Sequence, residues 1–197
     1  VNDFADKETT ANPVLREALN NTLFDARRWL ESDHWFLNRA NPHSVSKYDK
    51  IIKKMARRYG FDWRMIAAQV FVESNFKNTS RSNAGAVGLM QVLPSTAEFM
   101  GTDPDLLLDP ELNIAVGCMY DQRMFSLWGR QTKNYDNRLA FALASYNAGR
   151  GRVLRSYKAQ DSTANWKTVH PTLPGETQKY VHKIYLKTDF YKKHLLP

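Results

Sequence analysis

Cysteine, long apolar runs and acidic excess are all scarce in this chain, and each scarcity closes off a class of protein. The single cysteine, Cys118, excludes an internal disulfide, and no Cys/His group has the spacing of a metal site. Cys118 lies in "NIAVGCMY" and is expected as a small buried side chain. No metal and no organic cofactor is expected. No apolar run reaches the roughly 18 residues that a membrane span requires, and no secretory leader is read within these residues. Acids are outnumbered, with 28 Lys and Arg against 20 Asp and Glu and a net charge of +8. Such a surplus favours a polyanionic partner: nucleic acid, an acidic membrane or an acidic cell wall. The basic residues are scattered, in short clusters at Lys53 and Lys54, Arg57 and Arg58, Arg150 and Arg152, and Lys192 and Lys193. They read as solvated helix faces, and no nucleic-acid module is expected from them.

Strand signals are missing as well. There are no hairpin turns between alternating runs, no βαβ alternation and no internal repeat. What is present is helical period nearly throughout, in 197 residues that are 43% hydrophobic. That is long enough for one domain with a real core. The first 12 residues are polar, and residues 13 to 32 follow a helical spacing with Pro13 suited to a first turn. A helix is expected over 45 to 59, stopped by Gly60. Asp62 is placed to cap "WRMIAAQVFVES", a segment apolar almost all round and therefore expected at the centre of the fold. Pro94 opens a short helix, and "TDPDLLLDP" reads as a connection. Further helices are expected over "ELNIAVGCMYDQRMFSLWG", over "NRLAFALASYNAG", from Gly151 to about Tyr157, and from Glu176 to Lys192. The fold class is all-α.

The central segment ends on an acid, Glu73, which faces a glycine-containing stretch through Gly85 and Gly88. A lone glutamate at a helix end is ordinarily a solvated surface residue. Here the helix C-terminus disfavours negative charge, and apolar neighbours that strip water would raise the carboxyl's pKa. A carboxylic acid held neutral near pH 7 can protonate a glycosidic oxygen. Gln91 offers an amide for sugar hydroxyl or N-acetyl groups, or is a plain exposed residue. Tyr146 and Asn147 stand at a helix end, where side chains can enter a groove.

The blocks "ES", "GAVGLMQVLPSTA", "ALASYNAGRGRV" and "PGETQKYVHKI" occur in one order over residues 45 to 192. Together they resemble the family 1 lytic transglycosylases, with their soluble-type catalytic domain. The lead-in "FDWRMIAAQ" is also similar to the membrane-bound F type, in which a solute-binding-like domain precedes the catalytic one. The resemblance implies a lysozyme-like fold of the goose-type lysozyme and soluble lytic transglycosylase kind. It implies cleavage of the β-1,4 bond between N-acetylmuramic acid and N-acetylglucosamine in peptidoglycan, in the periplasm or cell envelope, with an outer-membrane association in a longer protein. It also implies site roles: Glu73 as acid and then base, Ser82 close to the acid or substrate, and Gln91 on bound sugar. Tyr146 and Asn147 would hold the acid and line the site, Glu176 would sit in the groove, and Tyr180 would support its wall. Leu93 stands where many members have Met. A goose-type hydrolase and a catalytically idle wall-binding module remain as alternatives.

Residues 45–192 would form the catalytic domain and 193–197 a tail, while 1–44 match nothing placed and are a candidate docking segment for a protein partner. Apart from Glu73, the motifs offer only Glu176 as a plausible second carboxylate. Asp109, Asp121 and Asp136 lie outside the motifs and are expected as capping or solvated residues.

Overall fold

The structure is a computed structural model that describes residues 44–161 and 164–195. The helix expected within residues 13 to 32 lies outside them. Eight α-helices are described: α1 (Asp49–Tyr59), α2 (Trp63–Ser74), α3 (Pro94–Phe99), α4 (Pro110–Trp128), α5 (Tyr135–Ala148), α6 (Arg150–Lys158), α7 (Trp166–Val169) and α8 (Gly175–His194). The "TDPDLLLDP" connection is itself a 3-10 turn over Pro104–Leu108, and a second 3-10 turn spans His170–Thr172. Strands are absent among the described residues, where two isolated bridges join Val87 to Arg81 and to Val92.

Local chemistry accounts for most boundaries. The Asp62 carboxylate accepts the Arg64 N–H, and α2 starts one residue after it. Asp109 and Asn134 cap α4 and α5 in the same way, so the capping expectation holds for Asp109. Gly60 takes the left-handed conformation that ends α1. That helix begins at Asp49 rather than near 45, because the Asp49 carboxylate accepts from the Val45 and Ser46 N–H groups and holds those residues in a turn.

The core lies around α2. Ile66, Ala67, Ala68 and Val70 are fully buried, as the all-round apolar pattern predicts. Helix α8 packs along α2 more extensively than any other pair, while α4 lies between α1 and α5. Each fully buried Ile or Leu side chain contributes roughly 1.5–3 kcal/mol. Trp128 stacks on Phe141 at 4.6 Å and donates its indole N–H to Ser145 at 2.9 Å. Cys118 is buried as expected. Among the described residues no helix is long and apolar enough to cross a membrane, and no cluster of His, Cys, Asp and Glu could hold a metal.

Candidate active site

Helix α2 ends where its apolar sequence gives way to Glu73 and Ser74. Asn75 turns left-handed at φ 50° and returns its N–H to the Phe71 carbonyl, which stops the helix. The chain then runs as a loop to Val92 and folds back onto the helix end. The Ser74 hydroxyl donates to the Leu89 carbonyl at 2.8 Å. Buried Asn113 of α4 organises the other side of the loop. Its Nδ2 donates to the Val87 and Leu107 carbonyls, and its Oδ1 accepts the Met90 N–H. Gly88 has φ 81°, and a Cβ there would run into Asn113 and the Leu107 carbonyl, so glycine is required on two counts. Gly117 leaves room in α4 for the Met90 side chain.

This loop and helices α2, α5 and α8 enclose an open cavity of about 770 Å³. Glu73, Ser82, Gln91, Tyr146, Asn147, Glu176 and Tyr180 all line it, together with Leu93, Lys179 and Lys183. The structure therefore brings every site residue read from the sequence to one place. Glu73 is half-buried at the cavity wall, and its carboxyl is pushed up to about 7. Burial is the main cause; the helix C-terminus acts in the same direction. The Tyr180 hydroxyl opposes them by donating to Glu73 Oε1 at 2.6 Å, a bond that favours the anion.

Several individual expectations change. Tyr180, expected to support the wall, is the residue that bonds the acid. Tyr146, expected to hold the acid, donates instead to the Met90 carbonyl at 2.7 Å and so fixes the loop. Asn147 is tied through Oδ1 to the Thr177 hydroxyl, joining α5 to the start of α8. Gln91 sits at φ 46° and spends its Nε2 on the Ser80 and Gly88 carbonyls, leaving its Oε1 as an acceptor for a ligand donor. Ser82 is exposed at the rim, where its Oγ accepts the Ala86 N–H. Glu176 is exposed in the first turn of α8.

Asp121 is a correction. It is not solvated but 1% exposed, and burial lifts its carboxyl well above the usual range, with the Glu73 charge adding to the rise. Its Oδ1 accepts from Gln69 Nε2 at 3.4 Å, and the same Nε2 reaches the Tyr180 oxygen at 3.2 Å. Both residues carried a signal in the sequence. Gln69 is the polar residue one turn before Glu73 in an apolar helix, and Asp121 shares the buried stripe of Ile114, Cys118, Met124 and Trp128.

The chain is 36% identical over 134 residues to a membrane-bound lytic murein transglycosylase F of Desulfosudis oleivorans, covering 66% of this chain and 29% of that protein. It is 34% identical over 167 residues to a membrane-bound lytic murein transglycosylase C of Haemophilus influenzae, covering 70% and 44%. The chain thus spans less than half the length of either relative. Its fold matches the crystal structure of the 70 kDa soluble lytic transglycosylase of Escherichia coli with a TM-score of 0.67 at 26% identity, over 91% of this chain and 29% of that one. The all-α, lysozyme-like fold expected from the sequence is the one found. The family model "Transglycosylase SLT domain" matches residues 50–169, more than half of the 197. The chain belongs to the transglycosylase SLT domain family.

Proposed function

We propose that this chain is the catalytic part of a peptidoglycan lytic transglycosylase, with residues 45–192 as the catalytic unit. It cleaves the β-1,4 bond between N-acetylmuramic acid and N-acetylglucosamine and leaves a 1,6-anhydromuramic end. The observation that carries this reading is Glu73: a half-buried carboxyl, held near pKa 7, on the wall of an open cavity of about 770 Å³. The family membership and the names of the relatives point to the same substrate.

The cleavage needs one acid that becomes a base. Glu73 gives its proton to the glycosidic oxygen, and the bond from that oxygen to muramic C1 breaks. The muramic 2-acetamido oxygen assists at C1. The Glu73 carboxylate then removes the proton of the muramic C6 hydroxyl, whose oxygen bonds to C1. Water is not consumed, and Glu73 ends the cycle protonated. A raised carboxyl favours the first transfer. The Tyr180 hydroxyl stabilises the anion between the two transfers with a charge-assisted bond. Ser82, Gln91, Asn147 and Glu176 contact the strand along the cavity, and Tyr146 keeps the Met90–Gln91 turn in place. Two-carboxylate hydrolysis would require a second carboxylate positioned to act on C1. Glu176, the other carboxylate on the cavity, is solvent-exposed, and Asp121 lies behind the wall. The site of action is the cell envelope, where the substrate is.

Digestion of purified peptidoglycan followed by mass spectrometry tests the proposal, with the Glu73→Gln variant alongside. Anhydromuramic ends from the wild type, and none from the variant, are expected. Reducing muramic ends would mean hydrolysis, and binding without cleavage would mean a wall-binding module.

A further inference from the structure

The two sides of the cavity differ in charge. The loop side offers Ser82, Ala84, Ala86 and Gln91, all of them neutral. The α8 side offers Glu176, Lys179, Tyr180 and Lys183, which fall on one stripe of that helix. Tyr180 sits between the two lysines along the chain and bonds Glu73, so both ammonium groups belong to the wall that holds the acid. Lys179 is exposed, and among the described residues neither it nor Glu176 enters an ion pair. Lys179 and Lys183 stand one helical turn apart, a spacing at which like charges disfavour each other. An anion bound between them would relieve that repulsion. The bond cleavage described above uses neither lysine.

We propose that Lys179, together with Lys183, binds a carboxylate carried on the 3-O-lactyl arm of the muramic sugar, so that the α8 wall tells muramic acid from glucosamine. The proposal takes the identity of the strand from the function proposed above. The two sugars of that strand differ only by this arm. N-acetylglucosamine is neutral. The lactyl carboxyl is free on a peptide-free strand; elsewhere it is amide-linked to a stem peptide, which brings carboxylates of its own. Successive sugars of a β-1,4 strand are turned over, so alternate sugars send their arms to the same side, and one charged wall can serve every muramic unit in the cavity. A lysine ammonium is a point charge on a flexible stem, suited to a carboxylate whose position varies with the arm. Glu176 repels the same carboxylate, which sets the bound arm toward the Lys183 end of the stripe. Its own charge is favoured where it stands, in the first turn of α8.

The test is a binding titration by calorimetry, made in the Glu73→Gln background so that the ligand stays intact. Three tetrasaccharides of alternating N-acetylglucosamine and N-acetylmuramic acid are compared: one with free lactyl carboxyls, one with an L-alanyl-D-glutamyl stem, and one with the lactyl carboxyls converted to carboxamides. At least one carboxylate form is expected to bind about tenfold more tightly than the carboxamide. The form with the larger preference tells whether the lactyl carboxyl or the stem peptide is the source. Raising the salt from about 50 to about 500 mM should shrink the preference. Lys179→Met should cut it to about threefold, and Lys179→Met/Lys183→Met should abolish it, with carboxamide binding held within about twofold. Lys179→Arg should retain it, and Lys179→Glu should reduce it below the methionine variant. An undiminished preference in Lys179→Met and Lys179→Glu would overturn the proposal, as would equal binding of all three ligands. A uniform loss across the three ligands would also overturn it, by making Lys179 a general contact to sugar. Cleavage products from the wild type are analysed alongside. Anhydromuramic ends without a carboxylate preference would leave the proposed function standing and sink this inference. A preference without anhydromuramic ends would do the reverse.

Discussion

Ser74 Oγ and the Leu89 carbonyl oxygen lie 2.8 Å apart, and this bond ties the residue after the acid to the loop that faces it. Ser74 is 7% exposed, so removing its hydroxyl leaves a buried carbonyl without its donor. Ser74→Ala should cost about 1–3 kcal/mol in urea denaturation. Glu73 and Gln91 would then be held less accurately across the cavity, and turnover should fall by about tenfold.

Asn113 is a larger test of the same loop. Its three bonds, to Val87, Leu107 and Met90, are all buried. Asn113→Leu removes all three and should destabilise the domain by about 3–5 kcal/mol, seen as an earlier urea midpoint. Activity should disappear at temperatures where circular dichroism still reports helix, because the loop goes before the helices do.

Glu73→Gln should lower turnover by at least about a hundredfold, the usual contribution of a general acid. It should also change the pH dependence of stability. The Glu73 carboxyl titrates at about 4.5 when it is solvated in the unfolded chain and stands at about 7 in the fold. Between these values the folded protein holds a proton that the unfolded chain has released. The stability contributed by the neutral form is therefore complete below about 4.5 and is lost as the pH rises through about 7. With the screening of a half-buried site allowed for, the loss is about 1–3 kcal/mol. The glutamine variant lacks this loss, so it should melt above the wild type at pH 8 and level with it at pH 4.

Tyr180→Phe removes the bond that lowers the Glu73 pKa. Turnover depends on protonated Glu73, so the wild-type rate should fall as pH rises past about 7. In the variant that alkaline limb should move up by about one pH unit. The maximal rate should drop by about tenfold, because the carboxylate formed after the first proton transfer has lost its donor. Rate profiles on purified peptidoglycan from pH 5 to 9 check both effects.

Local chemistry made much of this protein legible in its sequence. Caps at Asp62 and Asp109, the stop at Gly60 and the largely apolar pattern of residues 63 to 72 act over a few residues each, and they placed the helices. Seven of the residues that line the cavity were named by the motifs and the family resemblance they carry. The partners of those residues were a different matter. Tyr180 lies 107 residues from Glu73, and Asp121 lies 52 from Gln69, so no local pattern links them. Asp121 read as a surface acid, despite its place on the apolar stripe of α4, because a charged side chain is ordinarily solvated. Only the crossing of α2, α4 and α8 removed its water and set Tyr180, rather than Tyr146, against the acid. Helix formation depends on neighbours in the chain; a shifted pKa and a hydrogen-bond file depend on which helices come to lie together.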